Sequence, residues 1–205
     1  MTIRAVVFDL GGTYLTHVYQ SVHRAAAAYY GVPLSRASRV VEENLPPLFR
    51  AEIDEQTYWR RVGKILGSTK APRIFWTGFY PTKVRVKPKM HQLATRLRHA
   101  GYTIAALTNT IASHHTYNMK NGRLAIFDAI FASSELGLAK PDPAIYQYAS
   151  KHLHLKPEEI VYIDDQSINV RAARSVGMHG IVSWTPAQTR QQLRNLLRRE
   201  KSKPF

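Results

Sequence analysis

The 205-residue chain carries 29 Lys and Arg against 14 Asp and Glu, a formal charge of +15, with 44% hydrophobic residues and no cysteine. Those proportions exclude a disordered chain, and the missing thiols exclude disulfides, thiolate metal sites and cysteine nucleophiles. No apolar run reaches the roughly 18 residues of a membrane span, so we expect a cytoplasmic, non-membrane protein whose basic surface draws anions.

In chain order, Arg4–Leu10 reads as a buried first strand ending in Asp9-Leu10-Gly11-Gly12-Thr13. It is too short for a secretory leader and no small-residue cleavage site follows it. From Leu15 to Lys87 the sequence is helical and turn-like, with no convincing strand. Val22, Ala25, Ala26 and Tyr29 form one amphipathic pattern, and Tyr58, Val62, Ile65 and Leu66 another. Tyr80-Pro81 and Lys87-Pro88 mark the exit. Residues 15–87 are therefore expected to form a helical insertion, a lid over what the first strand presents. Met90, Leu93, Ala94, Leu97 and Ala100 then give one helical stripe. Thr103–Leu107, Ala129–Ala132, Ile160–Ile163 and Gly180–Trp184 read as further strands. Asp142-Pro143 and Thr185-Pro186 each supply an N-cap followed by a first-turn proline, opening helices between and after them. Strands alternating with helices imply an α/β core: a parallel sheet of five strands with helices on both faces.

Ligands of open α/β sheets sit outside the carboxyl ends of the strands. At those ends lie Asp9, then Thr108-Asn109, then Lys140 in the segment after the third strand, then Asp164-Asp165. Each residue alone is explained by a turn, a cap or a solvated side chain. Together they make a set suited to moving a phosphoryl group, with carboxylates for a divalent cation and an ammonium for phosphate oxygens.

Phe8-Asp9-Leu10-Gly11-Gly12-Thr13, Leu107-Thr108-Asn109, Lys140-Pro141-Asp142-Pro143-Ala144-Ile145-Tyr146 and Ile163-Asp164-Asp165-Gln166-Ser167-Ile168-Asn169-Val170 resemble the four signature motifs of the haloacid dehalogenase-like (HAD) superfamily. The insertion between the first two motifs is similar to the cap of its subfamily IA. The resemblance implies a Rossmann-like core over 1–14 and 88–205 and a helical cap over 15–87. It implies that Asp9 attacks the substrate phosphorus and forms an aspartyl-phosphate that water hydrolyses. It further implies Mg²⁺ held by Asp9, the Gly11 carbonyl and Asp165, with Asp164 acting through water or behind the ligands. Thr108 and Lys140 would hold the transferring phosphoryl group, and Gly11, Gly12 and Asn109 would complete the phosphate site.

Phosphatases of this family usually carry a second Asp two residues after the nucleophile, where this chain has Gly11. The lost general acid–base function is worth ~10²–10⁴ in rate. The motif resembles an Asp-x-Gly branch that includes sugar-1-phosphate phosphatases, whose anomeric leaving group needs less protonation, so a sugar phosphate is the favoured substrate. His17 lies just beyond the motif and could supply a proton, but it reads as a solvated or packed loop residue and is left outside the site. The alternatives are a catalytically weakened binding protein of the same fold and a nucleotide or nucleic-acid-end phosphatase. The latter is suggested by the basic run from Arg190 to Lys203, for which a solvated surface is the favoured reading. His114-His115 is expected to be solvated, and Phe75, Trp76, Phe79 and Tyr80 to pack between insertion helices.

Overall fold

The computed structural model describes residues 1–205 except Met1, Ala71, Pro72, Ile74 and Lys201. Five strands, β1 (Ala5–Phe8), β2 (Thr103–Thr108), β3 (Ala129–Ala132), β4 (Ile160–Asp164) and β5 (His179–Val182), form one parallel sheet in the order β3-β2-β1-β4-β5. They coincide with the five expected runs to within two residues at each end. β1 lies at the centre and is buried along its whole length. That burial requires an unbroken apolar run instead of an alternating one, and Ala-Val-Val-Phe supplies it. Val6 and Phe8 point into one core layer and Ala5 and Val7 into the other.

Helices fill both layers. Numbered in chain order, α1 is Tyr19–Tyr30, α2 Leu34–Glu43, α3 Leu45–Phe49, α4 Glu55–Ile65, α5 Phe75–Lys83, α6 Pro88–His99, α7 Ala112–Lys120, α8 Ser133–Leu136, α9 Pro143–His152, α10 Ser167–Ser175 and α11 Pro186–Arg199. The two capped helices start where expected. The Asp142 carboxylate accepts from the Ala144 N–H, and the Thr185 hydroxyl accepts from the Gln188 N–H. Met90, Leu93 and Leu97 of α6 and Leu193 and Leu197 of α11 cover one face of the sheet, while Ile145, Tyr146 and Ala149 of α9 cover the other.

Five helices, α1 to α5, stand between β1 and α6. The strand-like pairing of Leu15 with Val86, the Thr16 N–H bond to the Arg85 carbonyl (2.9 Å) and the Lys87 N–H bond to the Tyr14 carbonyl (2.9 Å) hold entry and exit side by side. Two stripes are rotated from expectation. α1 buries Val22, His23, Ala26, Ala27 and Tyr30, with Ala25 and Tyr29 only half-buried. In α4, Trp59 is buried and Ile65 is exposed, because the helix packs its Tyr58–Trp59 side inward.

The chain runs β1, β2, β3 in one direction, then crosses to β4 and β5 on the other side of β1. The order therefore reverses between β1 and β4, where a crevice opens at the carboxyl ends of the strands. Phe8 pairs in register with Ile163, which places Asp9 and Asp164 side by side at that crevice.

Candidate active site

The Lys140 ammonium is the hub. Its Nζ donates to Asp9 Oδ1 at 2.6 Å and to Asp164 Oδ2 at 2.8 Å, and all three side chains are almost wholly buried. Asn109 fixes the lysine from its backbone: its amide Nδ2 donates to the Lys140 carbonyl and its Oδ1 accepts the Lys140 N–H, both at 2.9 Å. Both Asp164 oxygens are engaged. Its Oδ2 also accepts from the Tyr162 hydroxyl and from Asn169 Nδ2 (3.0 Å), and its Oδ1 accepts the Gln166 N–H at 2.7 Å.

Asp9 and Asp165 differ from Asp164 in that each keeps one oxygen free. Among the described residues, Asp9 Oδ2 and Asp165 Oδ1 are buried and have no hydrogen-bond partner. Asp165 Oδ2 bonds to His17 Nε2 at 3.0 Å. Ligand oxygens of Asp9, Asp164 and Asp165 lie within 4.8 Å of one another. Three carboxylates around one ammonium leave an excess of negative charge in a low-dielectric site, and oxygen-only donors suit a hard divalent cation. The electrostatics agree. Burial, only partly offset by Lys140 and reinforced by Asp164 and Asp165, pushes the Asp9 carboxyl up to about 7. Burial would raise Asp164 as well, but the Lys140 charge and the donated hydrogen bonds hold it below the usual carboxylate range.

Gly12 is a backbone necessity. Its φ is +90°, and a Cβ there would overlap the His17 ring and the Asp165 carboxylate. Lys87 reaches back 75 residues to donate its ammonium to the Gly12 carbonyl, pinning the loop. Gly11 is unlike it: a Cβ would meet nothing within 4 Å. The site opens into a cavity of about 950 Å³, lined in part by Asp9, Gly11, Lys140 and Asp165 and, from the insertion, by Tyr19, Phe49 and Arg50.

Residues 3–177 match the family described as haloacid dehalogenase-like hydrolase. The chain belongs to that family. It is 27% identical to a sesquiterpene phosphatase of Aspergillus oryzae, over 96% of this chain and 97% of the relative. It is 23% identical to a D-ribitol-5-phosphate phosphatase of Bacteroides thetaiotaomicron, over 95% and 98% of the two chains. The match to acyl-CoA dehydrogenase family member 10 of Mus musculus is 31% identical over 54% of this chain but spans only 10% of that much longer protein. The fold matches a HAD-family enzyme of B. thetaiotaomicron crystallised with magnesium and inorganic phosphate, at a TM-score of 0.65, 19% identity and coverage of 87% and 93%.

Within this HAD hydrolase the structure brings together Asp9, Lys140, Asp164 and Asp165, as expected from the strand ends. Thr108 closes β2 with a buried hydroxyl that makes only a 3.5 Å approach to the Asn109 carbonyl. Asn109 lines the cavity, but its side-chain amide is committed to Lys140. His17 is an exposed loop residue, as expected, and it also lines the cavity and bonds to Asp165. One expectation for a histidine is corrected. His114 is not solvated: it is buried and stacked on Tyr80 at 3.7 Å, while His115 pairs with Glu135 at 3.1 Å. Tyr162, Asn169 and Lys87 were not singled out. Tyr162 and Asn169 act on Asp164 from two and five residues away, whereas Lys87 reaches Gly12 only through the return of the chain.

Proposed function

We propose that this HAD hydrolase is a Mg²⁺-dependent phosphatase that cleaves a small phosphorylated metabolite through an aspartyl-phosphate on Asp9. One observation carries the reading. Asp9 lines a large cavity and keeps one buried, unpartnered oxygen while Lys140 grips the other. A nucleophile needs that free lone pair, aimed where the substrate enters.

Asp9 Oδ2 attacks phosphorus and the ester P–O bond breaks, its electron pair leaving with the alcohol oxygen. Water then attacks the aspartyl-phosphate and releases inorganic phosphate, restoring the carboxylate. Lys140 and the Thr108 hydroxyl neutralise and orient the phosphoryl oxygens, with backbone amides of the Gly11–Gly12 loop beside them. Asp9, the Gly11 carbonyl and Asp165 would hold the Mg²⁺. The free Asp165 Oδ1 fits that role, and Asp164, both of whose oxygens are hydrogen-bonded, fixes Lys140. Bound there, the ion would offset the charge of the anionic ester as it approaches the carboxylates. Residues 15–87 act as the cap, contributing Tyr19, Phe49 and Arg50 to the cavity wall.

With Gly11 in place of an acid, leaving groups that need little protonation are favoured, the anomeric hydroxyl of a sugar 1-phosphate among them. The relatives suggest two substrate classes: sugar phosphates, in keeping with the D-ribitol-5-phosphate phosphatase, and terpenoid phosphates, in keeping with the sesquiterpene phosphatase that aligns over almost the whole chain. The deciding experiment is hydrolysis of an activated aryl phosphate, whose leaving group needs no acid. We expect turnover with Mg²⁺, none with chelator, and none in Asp9→Asn. Turnover that survives Asp9→Asn would place the chemistry elsewhere, and a folded protein inert towards every ester would support a binding role instead.

A further inference from the structure

Beside the main cavity, a recess of about 60 Å³ lies between the Leu10–Tyr19 loop, α5 and α7. It shares Gly11, His17, Tyr19, Phe49 and Asn109 with the cavity that holds Asp9, and Thr108 stands in its wall. It therefore adjoins the point at which a leaving group separates from phosphorus. Its other walls are mainly apolar, with Leu15, Val18, Trp76, Tyr80, Val84 and Ile111 beside the polar Thr16, Thr110, His114 and Asn118.

Most polar side chains in those walls are already committed, Thr110 by a 3.4 Å approach to the Ile111 carbonyl. Thr16 donates to the Lys83 carbonyl at 3.2 Å and accepts the Arg85 N–H at 3.0 Å. Asn118 donates to the Tyr80 hydroxyl at 2.6 Å and accepts from Arg123 at 3.4 Å. Asn109 is clamped on Lys140 and His17 is bonded to Asp165. Apart from Thr108 at the phosphate end, two groups are exceptions: among the described residues, the buried His114 Nε2 and the buried Trp76 Nε1 have no hydrogen-bond partner. A backbone hydrogen bond with Trp76 occupies the other ring nitrogen, so Nε2 offers a single lone pair.

A polyol entering this recess would surrender hydration at several hydroxyls, each with one donor and two acceptor sites, and could regain hydrogen bonds only from Thr108, Trp76 Nε1 and His114 Nε2, which is unfavourable. A hydrocarbon surrenders none and removes apolar surface from water. At the roughly 30 Å³ that a water occupies in the liquid, the recess admits about two such groups. Longer chains continue along Leu45, Pro46, Phe49 and Ile168 in the larger cavity.

We propose that this recess is the leaving-group subsite and that the substrate is a phosphate monoester of a predominantly apolar alcohol, its first carbons seated between Trp76, Val84 and Ile111. The proposal rests on Asp9 being the phosphoryl acceptor. It separates the two substrate classes named above in favour of the hydrocarbon one.

The test is a series of straight-chain alkyl phosphates from methyl to hexyl, with glycerol phosphate and hexose phosphates alongside, on the native protein with Mg²⁺. We expect kcat/KM to rise about threefold for each methylene seated, and polyol phosphates to fall below the alkyl ester of equal carbon number. Val84→Phe, which fills the recess, should flatten the slope, with a thermal melt to show that the variant is folded. Should the variant not fold, the slope on the native protein still decides. A flat series, or polyol esters that outpace alkyl esters, overturns the subsite and leaves the phosphatase reading standing. No phosphate from any ester, an activated aryl phosphate included, overturns both.

Discussion

Replacing Gly11 with aspartate tests whether the missing acid is what limits this enzyme. The structure has room for it. A Cβ at Gly11 meets no atom within 4 Å, and Gly11 is not among the residues at positive φ, so the side chain can be added without forcing the backbone. The position lines the cavity beside Asp9 and Asp165. A carboxyl added near three existing carboxylates and one ammonium is pushed towards its protonated form by like charge, which is the form a general acid needs. General acid catalysis is worth ~10²–10⁴, and some of that is lost to imperfect placement, so we expect kcat for a simple alkyl phosphate to rise about 10²-fold. An activated aryl phosphate needs no proton and should change by less than about threefold. Phosphate release from both esters, measured with Mg²⁺ on native and Gly11→Asp protein of comparable melting temperature, gives the ratio. If both rates move together, or if the alkyl rate stays flat in a folded, Mg²⁺-requiring variant, then protonation of the leaving group is not the limiting step.

Gly12→Ala should behave oppositely: with φ at +90° and His17 and Asp165 in the way, phosphate release should fall at least about tenfold and the melting temperature should drop. Unchanged kinetics would show that the loop adapts. Lys140→Met leaves Asp9 and Asp164 facing each other in the interior, a change expected to cost about 3–5 kcal/mol in urea unfolding as well as activity. A loss of activity without any loss of stability would contradict the buried-pair account. His114 makes a pH-dependent contribution. Burial holds its imidazole down to about 4, against 6.5 for the free side chain, so the unfolded chain binds its proton first as pH falls. Stability from this group is complete above about pH 6.5 and declines towards pH 4 by about 3 kcal/mol in all. Comparing urea unfolding of native and His114→Phe protein at pH 7 and pH 4.5 should show a smaller acid loss in the variant, and equal losses would assign acid sensitivity to other groups.

Much of the fold was legible in the sequence because its signals are local. The strands are short apolar runs flanked by turns, and the Asp142-Pro143 and Thr185-Pro186 caps announce helices through the hydrogen bonds that they go on to make. Asp9, Thr108, Lys140 and Asp164–Asp165 were readable as strand-end or loop residues for the same reason. Periodicity was less reliable within the insertion, where Ile65 was expected inward and Trp59 was not. There the buried face is chosen by neighbouring helices and not by the helix itself.

The sequence by itself determined which residues reach the carboxyl edge of the sheet. Only the tertiary structure decided what each does to the others. The order β3-β2-β1-β4-β5 brings Asp164 beside Asp9 and lets one lysine bridge them, which makes Asp164 a holder of Lys140 and leaves Asp9 and Asp165 with the free oxygens. The return of the chain sets His17 on Asp165, Lys87 on the Gly12 carbonyl, and Trp76, Val84 and Ile111 around one recess. Such pairings join groups tens of residues apart. They follow from sheet order and helix docking, which local hydrophobic patterns do not encode.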